Sequence, residues 1–550
     1  LGDEGADMTE ERQLKRGDSE TVGSQGAELS VWVQYVLLGV ILLAGAWLRF
    51  SRLDLLEFQS DEAYAAQLAV DFVRNGNFPL AGLMSSVGVT NPPLFIYLLI
   101  PMFMVSSSPV FVSGCIAVLG LLSVLATWHV GRKYYGSVVG LVAAALFAVS
   151  PWAVIYSRKI WAQDFVPVLA TGAIWAMHAL VLGKNPRAVF WVVMLPLCVA
   201  QVHFSGVIMT ASVALMILWL RPRMDWRYAV GGLMGALVLL APYVKFQVDT
   251  GWRDFKVAVS QVGGDDAGET RGVPTVHPVT GYRLSGDRPV AHTLAIMNAG
   301  QIEDVLGITA DPSLDRSGIH SAKPGGQGRY FSEMTGIWGT MLMIQRLACV
   351  AAVVWMVSAI VMTVRRTRRF PFVSVAEDGE GRGMWVVVLW LVLPAVLFSV
   401  AGMRTYLTYF AILYPGHFLA QAVALVRVTG QKNWPVAGVV TGLFVLANVA
   451  YLLAYYDFVG SMGGAQGTHG TGLGYKIEAA HFLVAHEGDA FRRECQAHIG
   501  LAMSRDGDER RSLMEVLKHS KLRQLNHEGR IELPQLEWPW LIEEAFRSGA

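Results

Sequence analysis

Apolar residues fall in blocks along this chain, separated by short polar turns and a few longer polar stretches. The first block runs from Val31 to Leu48, and others cover 109–131, 136–155, 162–182, 187–204, 206–220, 228–246, 340–363, 384–401, 405–426 and 434–456. Most approach roughly 20 residues, the length a helix needs to cross about 30 Å of hydrocarbon. The pattern predicts an all-α polytopic membrane protein of about eleven transmembrane helices. The pair 187–204 and 206–220 is short for two spans, and predicts a tight hairpin around Gln201-Val202-His203 or a less regular structure.

One shorter segment decides the topology. Pro92 to Val105 has about 14 residues, the length of an interfacial or re-entrant helix and not of a full span. If it does not span, the basic clusters Arg132-Lys133, Lys184/Arg187, Arg221/Arg223/Arg227, Arg365-Arg366/Arg368-Arg369 and Arg427/Lys432 all fall on one side, which the positive-inside rule makes cytoplasmic. If it does span, every one of them is exported. The first arrangement is preferred. It puts loop 49–108, the turn 156–161, loop 247–339 and everything from 457 on the outer face, joined by the turns at 203–205 and 402–404.

Composition agrees with the pattern. Hydrophobic residues make up 53% and charged residues 16% of the chain, against about 25% charged in a typical soluble domain. Mean hydropathy is +0.42. A formal net charge of +1 offers nothing to a polyanion, so no nucleic-acid partner is expected. Cys115, Cys198 and Cys349 sit in apolar stretches and Cys495 stands alone, so there is no disulfide framework and no CxxC metal motif. Residues 1–29 are polar and predict a disordered cytoplasmic tail. The block that follows has no small-residue cleavage site and predicts a retained helix. The expected domains are therefore the tail 1–29, a membrane domain 30–456 and an extracytoplasmic region 457–550. That last region opens on the Gly-rich stretch Gly460 to Gly474 and continues into an amphipathic helix at about 475–487.

Five groups of residues could carry chemistry. Phe58-Gln59-Ser60-Asp61-Glu62-Ala63-Tyr64 follows the first span, flanked by Arg49 and Arg52. A carboxylate within reach of an acceptor hydroxyl can act as its general base; the plain alternative is that Ser60-Asp61-Glu62 starts an amphipathic helix over about 61–75. Thr90-Asn91-Pro92-Pro93-Leu94 opens the short outer helix, and Asn-Pro also favours turns. Ser150-Pro151-Trp152 through Arg158-Lys159-Ile160-Trp161-Ala162-Gln163-Asp164 brings a basic pair and an acid to an outer turn. There they are either functional or a mutual salt bridge between Arg158 and Asp164. His203 sits at an outer span end. Arg404-Thr405-Tyr406, running on to Tyr414-Pro415, supplies a guanidinium suited to phosphate.

In this order the motifs resemble the GT-C superfamily of membrane glycosyltransferases, and within it the family 39 group of protein O-mannosyltransferase-like and aminoarabinose-transferase-like proteins. The matching positions are Asp61-Glu62-Ala63, Asn91-Pro92-Pro93-Leu94, Ser150-Pro151, Tyr156-Ser157-Arg158, Asp164, and Arg404 through Tyr414-Pro415. Asn91 departs from the His or Lys of relatives. The resemblance implies a GT-C bundle with outer juxtamembrane helices. It implies inverting transfer of a sugar from a polyprenyl-phosphate donor to a hydroxyl of a protein, lipid or glycan, on the outer face of a bacterial-type membrane. Carried over residue by residue, Asp61 is the catalytic base, with Glu62 and Asp164 as further catalytic candidates. Arg158, Lys159, Arg404, His203, Asn91 and Tyr406 fall to the donor and its phosphate. Some members of the superfamily use a divalent metal; the expected loops here lack a DxD, so a metal is possible but not required. The alternatives are a transporter or lipid-glycan flippase, and a non-catalytic binder of the lipid carrier.

Overall fold

The computed structural model describes residues 29–58, 60–84, 89–262, 289–298, 379–401, 407–430 and 433–462, with scattered positions between 347 and 361, Thr405, and short pieces between 464 and 477. Nearly all of the expected tail 1–29, most of loop 247–339, most of the span 340–363, nearly all of the helix at 475–487 and the greater part of 457–550 lie outside the described residues, as do Arg404 and Tyr406.

The regular structure of the described chain is helical apart from a two-residue strand pair, Gly464–Ala465 with Gly470–Thr471, and isolated bridge residues at Glu57, Met84, Thr90 and Thr405, with Met84 paired to Thr90. The long helices are α1 (Val31–Phe50), α4 (Pro109–Tyr135), α7 (Ala162–Val181), α10 (Trp226–Asp249), α13 (Gly379–Val400) and α15 (Trp434–Met462). These six are long and apolar enough to cross a membrane. A seventh span is available if the 3-10 stretch Leu407–Leu413 and α14 (Gly416–Thr429), bent by 62°, are taken together. Hydropathy read 405–426 as one straight block because a bend leaves composition unchanged.

The shorter helices have local causes. α3 (Leu94–Val105) has 12 residues, about 18 Å at 1.5 Å per residue, too short to span. α5 (Ser137–Val149) ends at Ser150, whose extended backbone precedes Pro151 and the short α6 (Pro151–Ile155), as the residue before proline prefers. Block 136–155 is therefore two helices. α8 (Val189–Val202) and α9 (Ser205–Leu220) break at extended His203, the hairpin expected there. α2 (Ser60–Asn75), α11 (Arg253–Val262) and α12 (Pro289–Asn298) complete the set.

α5 is the centre of the bundle, with every residue from Val139 to Val149 buried. It packs on α4 through bare backbone. A Cβ at Gly140 would lie 2.6 Å from the Arg132 nitrogen, and one at Gly131 2.6 Å from Gly140 Cα. α1 and α10 form outer walls, exposing Trp32, Val36, Val40 and Leu43 on one and Leu233, Met234 and Val238 on the other. Apolar surface this extensive suits lipid and not water.

The two ends of the bundle differ. At one, Arg132 near the end of α4 lies over the rings of Tyr35 and Trp128, while the Tyr135 hydroxyl meets Gly383 O at 2.7 Å and His178 Nε2 at 2.8 Å. At the other lie the end of α1, the start of α2, the α6–α7 turn and the end of α15. There the Tyr456 hydroxyl donates to Leu48 O at 2.6 Å and the Leu473 amide donates to Leu56 O at 2.8 Å.

Alanine at Gly131 or Gly140 should push α4 and α5 apart and destabilise the bundle by about 1–3 kcal/mol. The expected readout is a lower thermal midpoint in detergent. Gly39→Ala and Gly438→Ala, where a Cβ meets nothing within 4 Å, should leave the midpoint in place. Equal midpoints for all four variants would contradict the close contact.

Candidate functional site

α2 begins at Ser60, which puts Asp61 and Glu62 in its first turn, where carboxylates meet the positive end of the helix dipole. Neighbouring residues of a helix point about 100° apart, and these two diverge. Glu62 is buried and Asp61 is exposed. The pair both starts the helix and presents one carboxylate to each environment.

Glu62 faces Lys159. The Lys159 ammonium donates to Glu57 Oε2 at 2.8 Å, pairs with Glu62 Oε1 at 3.3 Å, and stands 3.8 Å from the centre of the Trp161 ring. All three ionic side chains are nearly closed to solvent, at 7%, 11% and 3% exposure for Lys159, Glu57 and Glu62. Removing one member of such a buried pair typically costs on the order of 3–5 kcal/mol, because the other is left charged and unpaired. Burial acts to lower the Lys159 pKa, but Glu57, Glu62 and Asp164 outweigh it and hold the ammonium above the ordinary lysine range.

The α6–α7 turn is closed by Asp164, whose Oδ2 accepts from the Lys159 backbone N–H at 3.2 Å. Its Oδ1 is buried without a hydrogen-bond partner. The salt bridge between Arg158 and Asp164 allowed by the sequence does not form. Arg158 turns the other way: one terminal nitrogen, Nη2, donates to both Ser51 O and Arg52 O at 2.7 Å, and the guanidinium lies 4.4 Å from the centre of the Tyr456 ring. It thereby satisfies carbonyls at the end of α1, as a cation at a helix C-terminus does. Its Nε has no partner.

Arg49 is the deepest charge at this end, with 0% exposure. Its Nη1 donates to Gly45 O at 3.1 Å and Ala148 O at 2.7 Å, while Nε and Nη2 have no hydrogen-bond partner. The site therefore has two halves: buried guanidinium groups of Arg49 and Arg158 on one side, and the carboxylates around Lys159 on the other. Asp61 stands at the open edge of the second half. Partial burial and then Glu62 hold its carboxyl above the ordinary aspartate range, against the opposite pull of Lys159.

The other candidates are spread around this centre. Phe95 of α3 meets Phe165 of α7 with ring centres 5.6 Å apart, which brings the short helix beside Asp164. The hydrogen bonds of Asn91 stay within its own loop, its amide and backbone N–H both going to Leu83 O, so it acts there as a turn residue. His203 Nδ1 lies 2.8 Å from Ser205 Oγ and accepts from the Ser205 backbone N–H, which leaves the proton of the neutral ring on Nε2. Burial pushes its pKa down to about 4. The ring packs on Tyr409, with centres 4.9 Å apart. His203 is thus tied to the segment after Arg404 and makes no hydrogen bond to the acidic cluster. Thr405, between Arg404 and Tyr406, is buried.

Glu57 was not among the residues singled out from the sequence. The available signal was an acid four residues before the Asp61-Glu62 pair, and nothing in that spacing says that it faces Lys159, 102 residues on. Among the described residues no three His, Cys, Asp or Glu side chains converge as metal ligands would.

No family model matches the chain, nor does any curated protein. Among solved structures it is similar to ArnT from Cupriavidus metallidurans bound to undecaprenyl phosphate, at 12% identity over 95% of this chain and 76% of that one, with a TM-score of 0.41. It is similar to the oligosaccharyltransferase of Archaeoglobus fulgidus in complex with zinc and sulfate, at 12% identity over 81% of this chain and 55% of that one, with a TM-score of 0.45. The AglB oligosaccharyltransferase of Archaeoglobus fulgidus in complex with an inhibitory peptide and a dolichol-phosphate gives 11% identity, 82% and 58% coverage, and a TM-score of 0.41. The chain thus spans little more than half the length of the oligosaccharyltransferase. The likenesses are distant ones.

Proposed function

We propose that this protein is a membrane glycosyltransferase that moves a sugar from a polyprenyl-phosphate carrier to an acceptor hydroxyl, with inversion, on the extracytoplasmic face. The observation that carries the reading is the exposed Asp61 beside a buried ionic cluster, with two buried guanidinium groups at the same end of the bundle. The opposite end bears Arg132, Lys133 and Arg382, which under the positive-inside rule supports an outer-face reading of the site's end.

In this mechanism the acceptor hydroxyl gives its proton to Asp61 as its oxygen attacks the anomeric carbon. The bond from that carbon to the carrier's phosphate oxygen breaks, and the phosphate leaves with the electron pair. Charge grows on the phosphate as it leaves, and cations fixed beforehand stabilise that growth. Arg158 and Arg404 take this part, and Arg49 stands behind Arg158. His203 and Tyr406 belong to the donor side by their place in the chain. Asp164 shapes the turn that presents Arg158 and Lys159.

Asp61→Asn keeps the shape and removes the base. Transfer from a radiolabelled polyprenyl-phosphate sugar should fall by roughly 10²–10⁴-fold, with binding of polyprenyl phosphate retained; equal rates in variant and wild type would end the assignment. Because Asp61 must be ionised to accept a proton, and its pKa is raised, kcat/KM should decline on acidification at a higher pH than an ordinary aspartate would give. A profile flat down to the usual aspartate range would contradict this. Arg158→Gln should weaken polyprenyl-phosphate binding by roughly 10- to 100-fold, the worth of a charge-assisted hydrogen bond, measured by direct binding in detergent.

A further inference from the structure

Lys159 fell to the donor phosphate by its place in the motif. Its surroundings say otherwise. Its ammonium is buried, held by Glu57 at 2.8 Å and Glu62 at 3.3 Å and seated 3.8 Å from the centre of the Trp161 ring, while its own backbone N–H is taken by Asp164. An ammonium has three N–H donors, and here two carboxylates and an aromatic face surround it. A phosphate reaching Lys159 would have to displace a carboxylate from a site closed to water, and would then face Glu57 and Glu62 as like charges.

We infer that Lys159 is a positioning residue: with Glu57 as its anchor it is the fixed cation of the acidic half of the site, holding Glu62 and setting the field at Asp61, and it does not touch the donor. The inference rests on Asp61 being the base.

The geometry carries this in three steps. Glu57 precedes α2 and Glu62 lies in its first turn, so a single ammonium between them fixes how α2 starts. Asp61 immediately precedes Glu62 on that turn, and its orientation follows. The charges then decide its protonation. Glu62 on its own helix and Lys159 from the α6–α7 turn act on it directly. Glu57 and Asp164 act on Lys159 from behind, and the hydroxyls of Tyr156 and Tyr455 stand near Glu57. Glu57 and Glu62 against one ammonium leave this half of the site negative, while burial disfavours a charge on the Asp164 carboxyl, so Lys159 is what keeps a further carboxylate, Asp61, able to ionise.

The sign of the effect separates this role from a merely structural one. Lys159→Met removes the cation and keeps the stem; Glu57→Gln removes an anion and keeps the shape. The acidic limb of the kcat/KM profile should move up by about one pH unit or more in Lys159→Met and down in Glu57→Gln. In Lys159→Met, kcat should fall at least tenfold at neutral pH, while polyprenyl-phosphate binding stays within about twofold of wild type. Lys159→Arg should restore most of the wild-type profile. Should Lys159→Met fail to fold, Glu57→Gln and Lys159→Arg still carry the test. Weakening of polyprenyl-phosphate binding by tenfold with an unmoved limb would make Lys159 a donor ligand and overturn the inference, and shifts of the same sign in both variants would do so too. An Asp61→Asn variant as active as wild type overturns the base assignment and this inference with it. An inactive Asp61→Asn with an unmoved Lys159→Met limb overturns this inference alone.

Discussion

A charge buried at the end of a helical bundle must be matched where it stands, and at the candidate site the match is Lys159. Its ammonium joins Glu57, which precedes α2, to Glu62 in the first turn of α2, and both to the turn that leads into α7. Two stretches about 102 residues apart are thereby joined by one cation. If that cation is lost, two carboxylates remain in a closed environment, each opposing the other's ionisation. Asp61 stands beside this interaction on the same helix turn, and the Trp161 ring packs against the ammonium.

The guanidinium groups follow a different logic. Arg158 spends one nitrogen on two carbonyls at the end of α1, and Arg49 spends one on Gly45 and Ala148. Each braces helix ends with part of its donor set and leaves Nε unpartnered. The same side chains thus shape the site and remain chemically unspent. An acidic half beside a basic half suits a reaction in which one partner gives up a proton while the other departs as an anion.

Much of the architecture was legible because length and composition are properties of contiguous sequence. The long helices stand where the apolar blocks do, α3 is as short as its run of residues requires, and α2 starts at the acid pair because such residues favour helix starts. What the sequence did not disclose depends on distant partners or on backbone direction. Arg158 bonds to residues 106 and 107 positions away, so its proximity to Asp164 in sequence was a poor guide. Glu57 carries no motif of its own and gains meaning only opposite Lys159. The 62° bend before α14 and the break at Ser150 interrupt blocks whose hydropathy is continuous.

The hydrogen bond from Tyr456 to Leu48 spans 408 residues, and the Arg158 guanidinium lies over the same Tyr456 ring. A chain emerging from the ribosome makes α1, the acid pair and the α6–α7 turn long before it makes α15. Until then Arg158 has its carbonyls but no aromatic face, and the end of α1 lacks its outer wall. Contacts of such separation close late in folding. The chemistry at this end of the molecule is therefore completed late, with a helix that supplies aromatic rings to it.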